Sequence, residues 1–209
     1  MNFPTAGLTD ELAAVAERLR RSSVEVRRER EGIGSGVIWD ASGLIVTNAH
    51  VASAADLQVA LWDGSRLPAR VVARDPDRDL AALVVPSGNL PAVGVRDSNS
   101  LRAGELAIAV GNPWGFTGAV AVGIIHAVGA HPVVPATPAM RKRSRINDLE
   151  WVLADVRLAP GNSGGPLADA SGCLIGINSM IVGGLALAVP SQDVSRFLKQ
   201  SRMDWGEAA

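Results

Sequence analysis

Apolar residues along this chain recur in two rhythms. Leu8, Leu12, Val15, Ala16 and Leu19 lie at helical spacing, with Glu11, Glu17, Arg18 and Arg20 between them. That spacing predicts an amphipathic helix, with Thr9 or Asp10 placed to cap its start. Beyond residue 22 the pattern changes to short runs rich in Val, Ile, Leu and Ala, broken by Gly, Pro, Asp and Ser. Runs of this kind read as strands. They cover 24–27, 36–39, 44–47, 57–61, 70–74 and 80–85, then 106–110, 119–128, 151–155, 173–179 and 185–189. Turn signals at 40–43 (Asp-Ala-Ser-Gly) and 63–64 (Asp-Gly) punctuate the first series. Ser191 then caps a final helix with Val194, Phe197 and Leu198 on one face.

Many short strands at close spacing, with helices only at the ends, predict an all-β barrel or sandwich. The strands fall into two sets of five or six, parted by the turn-rich stretch 86–104. A second irregular stretch, 131–148, carries Pro132, Pro135 and Pro138.

Composition narrows the function. The 209 residues are 47% hydrophobic and 20% charged, with a formal net charge of −1. Such a chain buries a sizeable core and is not disordered. It lacks the excess positive charge that would make a general nucleic-acid or anionic-membrane binder. The basic run Arg141, Lys142, Arg143 and Arg145 reads as a solvated loop, since no aromatic residues interleave. A single cysteine, Cys173, leaves no intrachain disulfide and no paired metal ligands, so neither metal nor cofactor is expected. No run reaches the roughly 18 uninterrupted apolar residues of a membrane helix. The N-terminus carries Asp10, Glu11 and Glu17 where a signal peptide needs an apolar core, which predicts a cytoplasmic address.

The segment 159–166, Ala-Pro-Gly-Asn-Ser-Gly-Gly-Pro, carries the most chemistry. Glycines around Ser163 permit a positive-φ turn and close approach of a substrate. Such a turn can aim successive N–H groups at one point, as stabilising an oxyanion requires. The pattern also fits the Gly-x-Ser-x-Gly elbow of α/β-hydrolases. Two features reject that elbow: Gly164, Gly165 and Pro166 would break the helix it needs, and no histidine follows His131. A general base must come from His50, His126 or His131. His50 lies just past the apolar run 44–47, a firm mount for an imidazole. His126 sits inside an apolar run as a packed or strand-face residue, and His131 precedes Pro132 in a loop. Asp79, directly before the run 80–85, suits the carboxylate that orients the base, while Asp75 and Asp77 read as turn residues around Pro76.

Taken in order, Gly34-Ser-Gly-Val37, Thr47-Asn-Ala-His50-Val51, Asp75-x-x-x-Asp79-Leu-Ala81, Gly111-Asn-Pro-Trp-Gly115 and Pro160-Gly-Asn-Ser163-Gly-Gly-Pro-Leu167 resemble the HtrA (Deg) branch of chymotrypsin-like serine proteases. Gly176-Ile-Asn178 and Ala188-Val-Pro-Ser191 continue the likeness, which covers roughly residues 22–200. The resemblance implies two six-stranded antiparallel β-barrels with a helix at each end. On that reading 1–21 is the helical segment, 22–90 the first barrel, 91–104 the link, 105–190 the second barrel and 191–209 the closing helix and tail. It implies a serine endopeptidase for unfolded or misfolded protein, with His50, Asp79 and Ser163 as triad and the N–H groups of Gly161 and Ser163 as oxyanion donors. Leu158, Ser179, Met180 and Ile181 would line an apolar specificity pocket, so small or medium aliphatic residues are expected at the cut.

The chain departs from the family pattern in three places. The sequence ends soon after Phe197, with no room for the PDZ domains that family members usually carry. Arg157 and Ala159 replace Ala and Asn in the usual Thr-Asp-Ala-Ala-Ile-Asn segment, which bears on activation-loop geometry. The run between Asn178 and Leu185 is short, which predicts a trimmed pocket loop. The alternative reading is a latent protease or chaperone-like peptide-binding module. The resemblance also implies a homotrimer built through N-terminal segments, for which Phe3 and the first helix are available, although capping the barrel is the plainer role for that helix.

Overall fold

The computed structural model describes residues 5–28, 31–54, 56–130 and 150–206. The proline-bearing stretch 131–148, with His131 and the basic run, lies outside the described residues, as does Phe3.

Helix α1 spans Thr5–Arg21. It begins earlier than the expected caps Thr9 and Asp10, because nothing in Thr5-Ala-Gly-Leu8 forbids helix. The first barrel follows as β1 (Ser23–Arg28), β2 (Glu31–Ile38), β3 (Leu44–Thr47), β4 (Leu57–Ala60), β5 (Arg66–Asp75) and β6 (Leu80–Val84). The second holds β7 (Leu106–Gly111), β8 (Ala119–Ala130), β9 (Glu150–Asp155), β10 (Pro166–Ala168), β11 (Leu174–Val182) and β12 (Leu185–Pro190). Helix α2, Ser191–Gly206, closes the chain. Each barrel is closed and antiparallel, ordered β1-β2-β3-β6-β5-β4 and β10-β11-β12-β9-β8-β7. His126 lies on β8 and is exposed, a strand-face histidine.

Strands β3 and β6 are apolar, Thr47 at the end of β3 excepted, because both faces are covered. Ile45, Ala81 and Leu83 point into the first barrel. Leu44, Val46, Leu80 and Ala82 point into the seam, where they share one core with Ile108, Val110, Trp151 and Ile177 of the second barrel. Both helices seal that seam: Val15 and Leu19 of α1 and Val194, Phe197 and Leu198 of α2 join the same core. Burying a large aliphatic side chain is worth roughly 1.5–3 kcal/mol, so this shared core binds the barrels into one body.

Ser191 departs from its expected capping role. Its hydroxyl donates to the Arg96 carbonyl at 2.6 Å and accepts from the Ser98 N–H at 3.2 Å. It ties the interbarrel link to the start of α2. The trimmed loop between Asn178 and Leu185 is a hairpin turn: Gly183 and Gly184 both have positive φ, 58° and 87°, and Val182 pairs with Leu185. A two-residue turn with both φ positive matches strand twist, and glycine makes it unstrained.

Candidate active site

Strand β3 ends at Thr47, and Asn48-Ala49-His50 turns away at the mouth of the first barrel. The Arg74 guanidinium holds this turn by donating to the Ala49 carbonyl at 2.7 and 3.1 Å. Asp79 closes the β5–β6 connection. Asp75 organises that connection, accepting from the N–H groups of Asp77 and Arg78. Asp79 itself sits at φ 57°, a left-handed conformation that aspartate tolerates better than most residues. Its side chain is 6% exposed.

That buried carboxylate has three donors. The His50 backbone N–H reaches Oδ1 at 3.1 Å, His50 Nδ1 reaches Oδ2 at 2.8 Å, and Ser179 Oγ donates to Oδ2 at 2.6 Å. Asn48 Nδ2 also fixes the Asp79 carbonyl at 2.9 Å. Nδ1 facing a carboxylate is the proton-bearing nitrogen, which leaves Nε2 as the basic one. The imidazole is half exposed.

Ser163 arrives from the second barrel. Its hydroxyl donates to the Ser179 carbonyl at 3.2 Å. Among the described residues no hydrogen bond joins it to His50. Ser179 therefore links the pieces, its hydroxyl on Asp79 and its carbonyl on Ser163. It can do both because it is the bulged residue of β11: Asn178 pairs with Ala188 and Met180 with Leu187, leaving Ser179 extra. A bulge re-aims a side chain out of the sheet's alternation. The sequence assigns Ser179 only to a pocket wall, since no local run of residues signals a bulge.

The turn before Ser163 is closed by the Asn162 N–H donating to the Ala159 carbonyl at 3.0 Å. Pro160 then Gly161, at φ 104°, is the residue order of a type II turn. Ala159 and Arg157 are thus compatible with an ordered loop here. Among the described residues, neither Gly161 nor Ser163 donates its N–H to a protein acceptor. Ser35 of the first barrel clips the loop in place, with its N–H on the Ser163 carbonyl at 2.8 Å and its hydroxyl on the Gly161 carbonyl at 2.7 Å. The Asn112 N–H donates to that same hydroxyl at 3.0 Å. Neither Ser35 nor Asn112 stands out as a positioning residue in the sequence, although both lie inside the quoted motifs.

A cleft of about 300 Å³ opens beside Ser163, lined by Leu158, Pro160, Ser179, Met180 and Ile181 among others. None of its lining residues is charged. All four residues expected in the specificity pocket therefore lie around this cleft.

Comparison with known proteins follows the same lines. A family model described as a trypsin-like peptidase domain matches residues 34–177. A protein of Chlamydia pneumoniae named probable periplasmic serine endoprotease DegP-like is 37% identical over 188 residues, covering 86% of this chain and 36% of its own length. The putative serine protease HhoB of Synechocystis sp. is 41% identical over 166 residues, covering 78% of this chain and 38% of its own. The solved structure of the HtrA-type protease AlgW with decapeptide superposes with a TM-score of 0.81 at 29% identity, covering 92% of this chain and 67% of that one. The chain spans little more than a third of the curated relatives it matches.

The relatives overturn the expected cytoplasmic address, since several are named periplasmic. The physical reason lies in α1. Its acidic residues belong to a helix packed on the seam through Val15 and Leu19, so they report folding of the domain and carry no address. Among the described residues no helix is long and apolar enough to cross a membrane.

Proposed function

The chain belongs to the trypsin-like peptidases, within their HtrA/Deg branch, and from that membership we propose that it is a serine endopeptidase with Ser163 as nucleophile, His50 as general base and Asp79 as the orienting carboxylate. The observation that supports this most is the buried Asp79 carboxylate, bonded at once to the His50 imidazole and to Ser179, which in turn holds the Ser163 hydroxyl. A substrate carbonyl received by the N–H groups of Gly161 and Ser163 would draw the hydroxyl off Ser179 and toward His50 Nε2. Apo geometries of this kind tighten when substrate binds.

In the reaction that follows, Ser163 Oγ attacks the peptide carbonyl carbon and His50 takes its proton. The two N–H groups stabilise the oxyanion, each worth roughly 3–4 kcal/mol. His50 then protonates the departing amine as the C–N bond breaks. Water, deprotonated by His50, attacks the acyl-enzyme ester and frees Ser163. Asp79 keeps the proton on Nδ1 throughout and stabilises the imidazolium. The uncharged cleft at Leu158, Met180 and Ile181 suits small or medium aliphatic residues before the cut bond.

The substrate class in this proposal is unfolded or misfolded polypeptide, working in the periplasm as the names of the relatives suggest. A homotrimer belongs to the same proposal and rests on the family resemblance alone. One observation favours a second reading, a latent protease or peptide-binding module: at rest the Ser163 hydroxyl points to Ser179. Turnover of reduced, unfolded casein separates the two. The proposal expects fragmentation by the wild type and none by Ser163→Ala. Binding without cleavage by the wild type would favour the latent reading, and equal cleavage by Ser163→Ala would refute the nucleophile.

A further inference from the structure

A second cleft, of about 420 Å³, lies behind the turn at 159–162, between it and the loop at 113–115. Leu158, Ala159, Pro160 and Asn162 line both clefts, so the two stand back to back across one strip of backbone. The walls of the second are otherwise Pro113, Trp114, Ala119, Val120, Ala121 and Arg157.

Arg157 is exposed and is the one charged residue among these lining residues. Among the described residues its guanidinium engages no ion pair or hydrogen bond. The neighbouring acid, Asp155, is exposed at the end of β9 and does not line the cleft. Trp114 is 73% exposed and stands at φ 52°, ψ 26°. A left-handed conformation is unfavourable for a bulky residue. Its N–H donates to the Pro160 carbonyl at 3.3 Å, which holds the loop against the turn despite that cost. Val120 adds an apolar wall that is 43% exposed. The cleft thus combines an unneutralised, fork-shaped cation with an indole and an aliphatic surface. That combination is complementary to a carboxylate side chain within an otherwise apolar peptide, since guanidinium and carboxylate pair in two parallel hydrogen bonds.

With a substrate carbonyl at the N–H groups of Gly161 and Ser163 and the side chain before the cut bond in the cleft beside Ser163, as proposed above, the shared turn would divide a bound peptide, its chain beyond the bond running on toward the second cleft and Arg157. We infer that Arg157 and Trp114 form a second substrate pocket that selects an acidic residue on the leaving-group side of the cut bond. This inference rests on the endopeptidase reading above.

The test uses a peptide series carrying Glu, Gln or Lys at successive positions after one aliphatic cleavage site. For each variant the ratio of kcat/KM for the Glu and Gln peptides is taken, which cancels any general loss of activity. The wild type is expected to favour Glu about twofold to fivefold at one position, the range of a partly exposed ion pair. Arg157→Gln should bring that ratio to one, Arg157→Lys should keep part of it, and Arg157→Glu should favour Lys. The same ratios are measured as peptide affinities with Ser163→Ala, so the pocket is read even if no peptide is cut. Cleavage of the neutral peptide with ratios of one in the wild type would overturn the pocket alone. Loss of cleavage with intact affinity ratios would overturn the endopeptidase reading alone.

Discussion

At residue scale the site is made of backbone conformations as much as of functional groups. Asp79 and Gly161 both occupy the left-handed region, at φ 57° and 104°. Aspartate is among the few side-chain-bearing residues that tolerate this, and the turn at Gly161 has no room for a side chain at all. A Cβ there would stand 2.5 Å from the Asn112 carbonyl oxygen. Gly161→Ala is therefore expected to displace the turn and withdraw a proposed oxyanion donor, lowering kcat/KM on an unfolded substrate by about 100-fold or more. A thermal melt run alongside should show the fold retained. Full activity in that variant would mean the Gly161 N–H plays no part. Glycine density made this turn readable in the sequence, because only glycine serves there. Ser179 was readable only as a wall residue, because its role depends on a register shift between β11 and β12.

At the scale of elements, the length of an apolar run decided what could be read. Strands β3 and β6 are buried on both faces, so their unbroken apolar stretches announce them. Strand β10 is three residues long and begins at the last proline of the proline- and glycine-rich nucleophile segment, which hides it. The link between the barrels shows how a turn-rich stretch is nonetheless held. Arg96 donates to Glu105 at 2.8 Å and to Asp169 at 3.3 Å. The bond from Arg96, then that from Arg102, holds the Glu105 carboxyl below its ordinary value of 4.5. A carboxyl depressed in the fold stabilises it fully above the unfolded value, and that contribution fades as pH falls through the folded one. The urea midpoint of the wild type should exceed that of Glu105→Gln near neutrality, and the gap should close below about pH 4.5. A gap that stays constant down to pH 3 would show that ionisation of Glu105 contributes nothing.

At the scale of the molecule, the proposed catalytic residues are distributed across the seam. His50 and Asp79 belong to the first barrel and Ser163 to the second, and the shared core around Leu80, Val110 and Trp151 sets their spacing. Ser35 adds a direct clip, since its backbone and hydroxyl both hold the nucleophile loop from the opposite barrel. Motif order in the sequence gave the barrels and the candidate residues. The clip and the cleft behind the turn depend on packing between distant segments, which no local pattern carries. Because the proposed reactivity requires the seam to be assembled, one labelling reaction reads both barrels together. A fluorophosphonate probe is added to folded protein, and the modified residue is located by mass spectrometry. Wild-type protein is expected to carry the label on Ser163, with the rate reduced by at least about 100-fold in His50→Ala. Label on another residue, no label at all, or an undiminished rate without His50 would contradict a serine activated across the seam.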